Sequence, residues 1–286
     1  MLRSLLFIPS HKIRFVDGVL KKNPDAICFD LEDALPDNKK KFGLEKLKIF
    51  LNDTKIDYLK FFIRIEDIEK NNYDNVLSIL NSKVHSLVLP KISNVKSLKS
   101  FEKRLKMFEK KNKIKKKITI TLLIESIEGI FNLPQLIDSS NRVKYIIYGE
   151  EDFLNDFGYL DFDSTPNLNF FKSYISFIGK KNKLELIYTP YLYIKNFLGL
   201  KKHIKESQRF GFTGMLTVHP SQIPIVNKSY LPSKKNFNTA KLILNLNKNN
   251  KYKDQNISIS KGKLLGPPMK RRAKKIINIF NLINER

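Results

Sequence analysis

Cysteine occurs once in 286 residues, at Cys28, so no internal disulfide framework can form. A lone thiol fits a reducing, cytoplasmic setting. Cys28 sits inside the apolar run AICFDL, where a buried, unreactive side chain is expected rather than a nucleophile. No run of about 18 apolar residues occurs, so no membrane-spanning helix is expected. The opening MLRSLLFIPSHK has an apolar stretch too short for a signal sequence and lacks a small-residue cleavage site, so it reads as a first strand. His11, His85, His203 and His219 show no zinc-ligand spacing. Glycine-rich dinucleotide fingerprints, phosphate loops, nucleophile elbows and paired-histidine metalloprotease motifs are all missing.

Acidic residues are also few. Lys plus Arg total 53 against 28 Asp plus Glu, a formal charge of +25. Such an excess raises the question of nucleic-acid binding. The lysines, however, are scattered from Lys12 to Lys275 among abundant Asn and Ile, as AT-rich coding produces. Arginine, the residue best suited to phosphate and base-edge contacts, is scarce. The clusters Lys39–Lys41, Lys110–Lys117 and Lys270–Lys275 read as solvated helix faces or loops. No nucleic-acid partner is expected, while attraction for anionic substrates or cofactors is retained.

What is present is a strand-then-helix rhythm. Eight β-branched or aromatic runs stand out: Arg3–Pro9, Asp25–Leu31, Lys60–Ile65, Ser86–Pro90, Ile118–Glu125, Val143–Gly149, Leu184–Thr189 and Gly214–His219. Between them lie segments of helical period, such as Val95–Lys110 and Gly199–Arg209. Runs such as AICFDL and KYIIYG are apolar on both faces, as a doubly covered parallel strand requires. Eight units in about 230 residues predict an α/β fold, a (β/α)8 TIM barrel, with a doubly wound open sheet as the competing arrangement. The barrel domain is expected over residues 1–247, with Asn236–Asn247 as its last helix. Residues 248–286 form an expected extension, a polar loop over Lys248–Ser260 followed by a turn and a C-terminal helix.

In such a barrel the active site lies at the C-terminal strand ends. Those ends read Asp30-Leu31-Glu32-Asp33, Arg64, Pro90-Lys91, Glu125-Ser126, Gly149-Glu150-Glu151-Asp152, Thr189-Pro190 and His219-Pro220. Two carboxylates at one barrel mouth repel unless a cation or a proton stands between them. Carboxylates plus water suit Mg²⁺, which makes Glu125 and Asp152 a candidate metal pair. Pairing of both with nearby Arg or Lys is the competing reading. Arg64 can clamp a substrate carboxylate, or serve as a partner for Glu32 or Asp33. His219 is a weaker candidate, since a lone histidine is more often structural.

These motifs, in this order, resemble the citrate lyase beta-chain and malyl-CoA lyase group of the HpcH/HpaI aldolase superfamily. The resemblance runs through RSLLFIPS, ICFDLEDALP, FFIRIED, LVLPKI, LLIESIEGIFNLPQL, IIYGEEDFLNDFG and GFTGMLTVHPSQIPIVN. It implies a TIM barrel, usually oligomeric and often trimeric, that uses Mg²⁺ to break or make a carbon–carbon bond. The substrate class it implies is a citryl- or malyl-type thioester of CoA or an acyl carrier, and an oxoacid. The implied catalytic residues are Arg64, Glu125 and Asp152. Glu125 and Asp152 match the metal ligands, and Arg64 and Glu125 match positions that meet substrate. Several positions depart from the group. Glu66 stands where an asparagine follows the matching arginine, and Gly43-Leu44 replace an Ala-Arg pair. Asn196 replaces an aspartate, and Met215 a lysine. In the tail, Gly262-Lys263-Leu264-Leu265-Gly266-Pro267-Pro268 puts Gly266 where an acid–base aspartate is usual. An altered member acting on a free oxoacid, or a non-catalytic ligand-binding barrel, is therefore the alternative.

Overall fold

A computed structural model describes residues 1–69, 73–161, 164, 166–245, 258–260 and 263–284. Eight parallel strands follow one another around a closed barrel. They are β1 (Ser4–Pro9), β2 (Ala26–Asp30), β3 (Lys60–Arg64), β4 (Val84–Leu89), β5 (Thr119–Ile124), β6 (Val143–Tyr148), β7 (Glu185–Tyr188) and β8 (Gly214–Thr217). Ser4 pairs with Met215 and Leu5 with Leu216, which closes β1 onto β8. The (β/α)8 barrel is thus the fold, and the open doubly wound sheet is set aside because a closed barrel leaves no edge. All eight expected strands are present. The main difference is β4, which starts at Val84 rather than Ser86 and takes in the polar His85.

The strands form because their residues are wanted on both faces. Every position of β2 is buried, with helices outside and the barrel core inside. Leu5, Cys28, Phe62, Val88, Leu123 and Ile187 meet within that core. Burial pushes the Cys28 thiol well above its ordinary range, so it stays protonated and inert, as its surroundings in sequence implied.

Local signals set the helices. Asn94 caps Val95–Lys111 by accepting from the N–H groups of Lys96 at 2.8 Å and Ser97 at 3.2 Å. Leu98, Phe101 and Leu105 form its buried stripe. Asn196 caps Phe197–Phe210 through Gly199 N–H at 2.8 Å, and Gly211, at φ 90°, ends that helix in the left-handed conformation. Asn196 therefore has a capping role, which an aspartate at this position would fill equally well. Arg142, buried ahead of β6, donates twice to Glu109, at 2.7 and 2.6 Å, and ties the helix Val95–Lys111 to the barrel floor.

The chain divides into two compact units, Met1–Asn227 and Lys228–Arg286. In the second, the helices Lys234–Asn245 and Pro267–Asn284 pack together, and the rings of Phe237 and Phe280 stack at 4.0 Å. The expected loop up to Ser260 is corrected at its end. Ser258–Ser260 and Lys263–Leu265 form an antiparallel ribbon, β9 and β10, with Ile259 opposite Leu264. Three residues are too short a run to show a period, so the ribbon had no signature. Residues 248–257 of the expected loop lie outside the described residues, as do Lys261 and Gly262. No helix among the described residues is long and apolar enough to cross a membrane.

Candidate active site

The polar residues converge at the C-terminal rim of the barrel. Asp30 ends β2 and is buried. Its oxygens accept from the N–H groups of Glu32 at 3.0 Å and Ala34 at 3.3 Å, which folds the following loop back on the strand. Arg64 ends β3 and binds Asp30 through two parallel bonds, Nε to Oδ1 at 2.8 Å and Nη2 to Oδ2 at 2.6 Å. Its Nη1 reaches Asp33 at 3.2 Å and lies 3.0 Å from Glu32 Oε2. Burial opposes the Arg64 charge, but the three carboxylates outweigh it and hold the guanidinium above its ordinary pKa. Arg64 is thus a partner of Glu32 and Asp33, as one of its two readings expected, and of Asp30 as well. One edge is locked to Asp30, and the other faces the opening, where Asp33 is half exposed.

Glu125 follows β5 and is 4% exposed. Its Oε1 accepts from the backbone N–H of Lys91 at 2.8 Å. Its Oε2 faces Gly149, where an added Cβ would stand 2.9 Å away, so only glycine leaves room for the carboxylate. Burial first, and then the charge of Asp152, push Glu125 up to about 8. Burial likewise raises Glu32 to about 7, with Arg64 opposing it and Asp33 adding to it. Asp152 lies in the first turn of the helix Glu150–Asp156, and its side chain is 40% exposed. The rim is thus a group of carboxylates with an excess of negative charge.

Lys91 was an unassigned strand-end residue in the sequence, and its place is the main addition. It has a positive φ of 52°, and its Nζ stands 3.7 Å from Asp152 and 3.8 Å from Glu32. Burial opposes its charge, while Asp152, Glu32, Asp33 and Glu125 raise its pKa. An ammonium therefore stands between Asp152 and Glu32, beside one of the two expected metal ligands. Among the described residues no group of three or more His, Cys, Asp or Glu is arranged to hold a metal. A pair of carboxylates with an open, wet side is the donor set of a cation that keeps several waters.

Other candidates fall elsewhere. His219 caps the turn Pro220–Gln222, with Nδ1 2.8 Å from Ser221 Oγ and accepting Ser221 N–H at 3.2 Å. Glu66 pairs with Lys40 at 2.5 Å, so the glutamate has a local cation to answer it. Glu150, next to the rim, turns outward to Lys172, 2.9 Å away, and Lys172 also bonds Glu206 at 3.0 Å. That buried cluster holds the start of the segment that carries Asp152. Nothing in the local sequence links Lys172 to Glu150, because they meet only once the helices pack.

The sequence profile of the HpcH/HpaI aldolase/citrate lyase family matches residues 3–220. The chain belongs to this family. The matched span contains Asp30, Arg64, Lys91, Glu125 and Asp152, whereas Gly266 lies beyond it. Among similar proteins is the mitochondrial citramalyl-CoA lyase of Homo sapiens, 21% identical over 99% of this chain and 87% of that protein. Another is citrate lyase subunit beta of Leuconostoc mesenteroides subsp. cremoris, 21% identical over 98% of this chain and 93% of the relative. In solved structures, a citrate lyase from Burkholderia xenovorans LB400 superposes with a TM-score of 0.86 at 16% identity, covering 99% of this chain and 93% of that one. The CitE protein of Mycobacterium tuberculosis, crystallised with magnesium, acetoacetate and coenzyme A, gives 0.78 at 18% identity, covering 96% and 97%. At these identities the structural likeness establishes the family fold.

Proposed function

We propose that this protein is a Mg²⁺-dependent carbon–carbon lyase acting on a citryl- or malyl-type thioester of CoA or an acyl carrier. Glu125 and Asp152 are the metal ligands in this reading. The observation that carries it is the buried Glu125 carboxyl, driven up to about 8 by burial and by Asp152, against which the backbone N–H of Lys91 and the more distant Arg64 charge act only in part. The donor set fits the ion. When bound, Mg²⁺ supplies Lewis acidity toward an oxoacid carbonyl and its carboxylate. Lys91, 3.7 Å from Asp152, would have to yield that carboxylate to the ion, and from the same strand end it would remain within reach of substrate oxygens. Asp30 fixes the Arg64 plane, and a substrate carboxylate displaces half-exposed Asp33 from Nη1. Glu125 and Arg64 then flank the substrate.

A groove of about 500 Å³ beside the ends of β1 and β8 is lined by Phe7, Pro9, Lys12, Phe15 and Val218. Its apolar walls and single lysine suit the arm of a thioester. Leu192, Tyr193, Phe197 and Leu198 are exposed together, an apolar patch that supports a homo-oligomer, with a trimer as the family-based expectation. A cytoplasmic setting is proposed from the single thiol, and no nucleic-acid partner is assigned.

The second reading rests on Gly266. It has no side chain to transfer a proton, which favours an altered member acting on a free oxoacid, or a ligand-binding barrel without turnover. The test is Mg²⁺-dependent release of pyruvate or glyoxylate from citramalyl-CoA or malyl-CoA, run beside melting with Mg²⁺ and oxaloacetate. Release supports the lyase. Stabilisation without release supports the second reading, and neither response rejects both.

A further inference from the structure

The opposite, N-terminal end of the barrel holds a second polar cavity. It has a volume of about 440 Å³, and Asp57, Lys60, Ser82, Lys83, His85 and Lys116 are among its lining residues. Two irregularities in the sheet shape it. Phe61 pairs with Val84 but Phe62 with Ser86, so His85 is the extra residue of a bulge. Ile120 pairs with Val143 but Thr121 with Tyr145, which makes Lys144 the extra residue of another. A bulge re-aims the side chains around it. Here the ring of His85 turns onto Phe62 at 5.5 Å and Tyr145 at 5.8 Å.

Hydrogen bonding then settles where the protons are. Lys60 Nζ can only donate, and it lies 3.3 Å from the Tyr145 hydroxyl oxygen. The hydroxyl proton is therefore directed to His85 Nε2, 2.8 Å away. An imidazole accepting at Nε2 carries its proton on Nδ1. Burial, with Lys60 and Lys116 adding to it, holds His85 down to about 4, so the ring is neutral near pH 7. The relay presents one N–H donor beside three ammonium groups. Lys83 bonds the Ile56 carbonyl at 3.4 Å, and none of Lys60, Lys83 and Lys116 forms an ion pair among the described residues. Asp57 is the acidic residue of the lining. Glu185, whose charge reaches Tyr145, is already engaged by Leu2 N–H and the Met1 amino group.

We propose that this cavity is an anion site that takes the phosphate group of a small molecule, separate from the carboxylate rim at the other end of the barrel. Four donor-bearing side chains, Lys60, Lys83, His85 and Lys116, line it, and the charge is opposite in sign to that of the rim.

The test is a titration of inorganic phosphate into the full chain at pH 7 and constant ionic strength. The readout is the NMR signal of the His85 C2 proton, assigned by its loss in His85→Asn. The signal should shift saturably. Lys83→Gln combined with Lys116→Gln should weaken the apparent Kd by about fivefold, the effect of losing two solvent-accessible charge contacts. Neither side chain is in the core, so this variant should melt with the parent. Glu125→Gln at the far rim should change the Kd by less than about twofold, being beyond a screening length. A His85 signal that ignores phosphate overturns the proposal. So does a double lysine variant that binds as tightly as the parent.

Discussion

The ammonium of Lys91 stands 3.7 Å from an oxygen of Asp152, and the same residue's backbone N–H bonds Glu125 at 2.8 Å. One residue thus serves both proposed metal ligands, by charge and by hydrogen bond. Replacing Lys91 by Gln keeps the backbone bond and removes the charge. The metal-free protein should then lose about 1 kcal/mol or less, because the pair is partly solvated. Stabilisation by Mg²⁺ should grow, since no ammonium competes for Asp152. Melting curves with and without Mg²⁺ measure both. An unchanged Mg²⁺ increment would show that Lys91 does not stand in the metal's place.

Glu125 and Glu32 make a prediction about pH. Both hold protons in the folded state at pH values where an unfolded carboxyl has lost them, Glu125 up to about 8 and Glu32 up to about 7. The native state binds more protons than the unfolded state across this window, so stability falls as pH rises. The metal-free protein should therefore be more stable at pH 5 than at pH 8. Each group contributes a slope of at most about 1.4 kcal/mol per pH unit. Glu125→Gln should flatten the profile and abolish the response to Mg²⁺. In the parent, Mg²⁺ should bind more tightly as pH rises, because it competes with that proton. Urea unfolding at a series of pH values reads the slope.

The bond pair between Arg64 and Asp30 predicts strong coupling. Arg64→Leu leaves Asp30 buried with backbone partners alone and should lower stability by about 3–5 kcal/mol. Arg64→Lys keeps the charge, loses the fork and should fall between the variant and the parent. Removing both groups, as Arg64→Leu with Asp30→Leu, should recover much of the loss. A double-mutant cycle in urea gives the coupling directly, and additive losses would count against it.

Much of this architecture was legible before the structure. Continuous apolar runs such as AICFD announce strands covered on both faces, and Asp30, Arg64 and Glu125 are visible as charges that end such runs. Rim position follows from the strand order alone. Partnership does not. Lys91 reaches Asp152 from a backbone at positive φ, which no residue pattern marked. His85 faces inward because of a bulge, where alternation places it elsewhere. Three consecutive acids, Glu150 to Asp152, look alike in sequence, yet Glu150 turns to Lys172 while Asp152 turns to Lys91.

Lys172 carries the next prediction. Its ammonium is buried between Glu150 and Glu206, and Tyr188 adds a hydrogen bond to Glu206 at 3.0 Å. Lys172→Met leaves the buried Glu150 carboxylate without its cation, while Glu206 keeps its access to water, and should cost about 3 kcal/mol. The partners of a ligand-bearing segment also set its affinity, so Mg²⁺ binding should weaken by about tenfold although Lys172 does not touch the rim. Calorimetric titration of Mg²⁺ under conditions where the variant is fully folded separates the two effects. A folded variant with unchanged affinity would confine Lys172 to stability.

Gly266 offers the sharpest division between the two functional readings. Its carbonyl accepts from the N–H groups of Met269 at 3.1 Å and Lys270 at 3.3 Å, opening the helix Pro267–Asn284. An added Cβ would meet only the Pro268 ring, at 3.7 Å, so an aspartate fits without strain. At a helix start, Asp in place of Gly changes stability by only a few tenths of a kcal/mol. Any effect of Gly266→Asp on turnover is therefore chemical rather than structural. A proton-transfer group restored to a working site contributes about 10²- to 10⁴-fold. If the natural chain lacks only that group, Mg²⁺-dependent cleavage of malyl-CoA should rise by at least the lower figure in Gly266→Asp. Glu125→Gln should abolish the gain. If the parent already cleaves well and Gly266→Asp is neutral, the proton passes through a group already at the rim. Glu32, raised to about 7, is then the residue to replace, and Glu32→Gln should remove the activity that Gly266→Asp left unchanged.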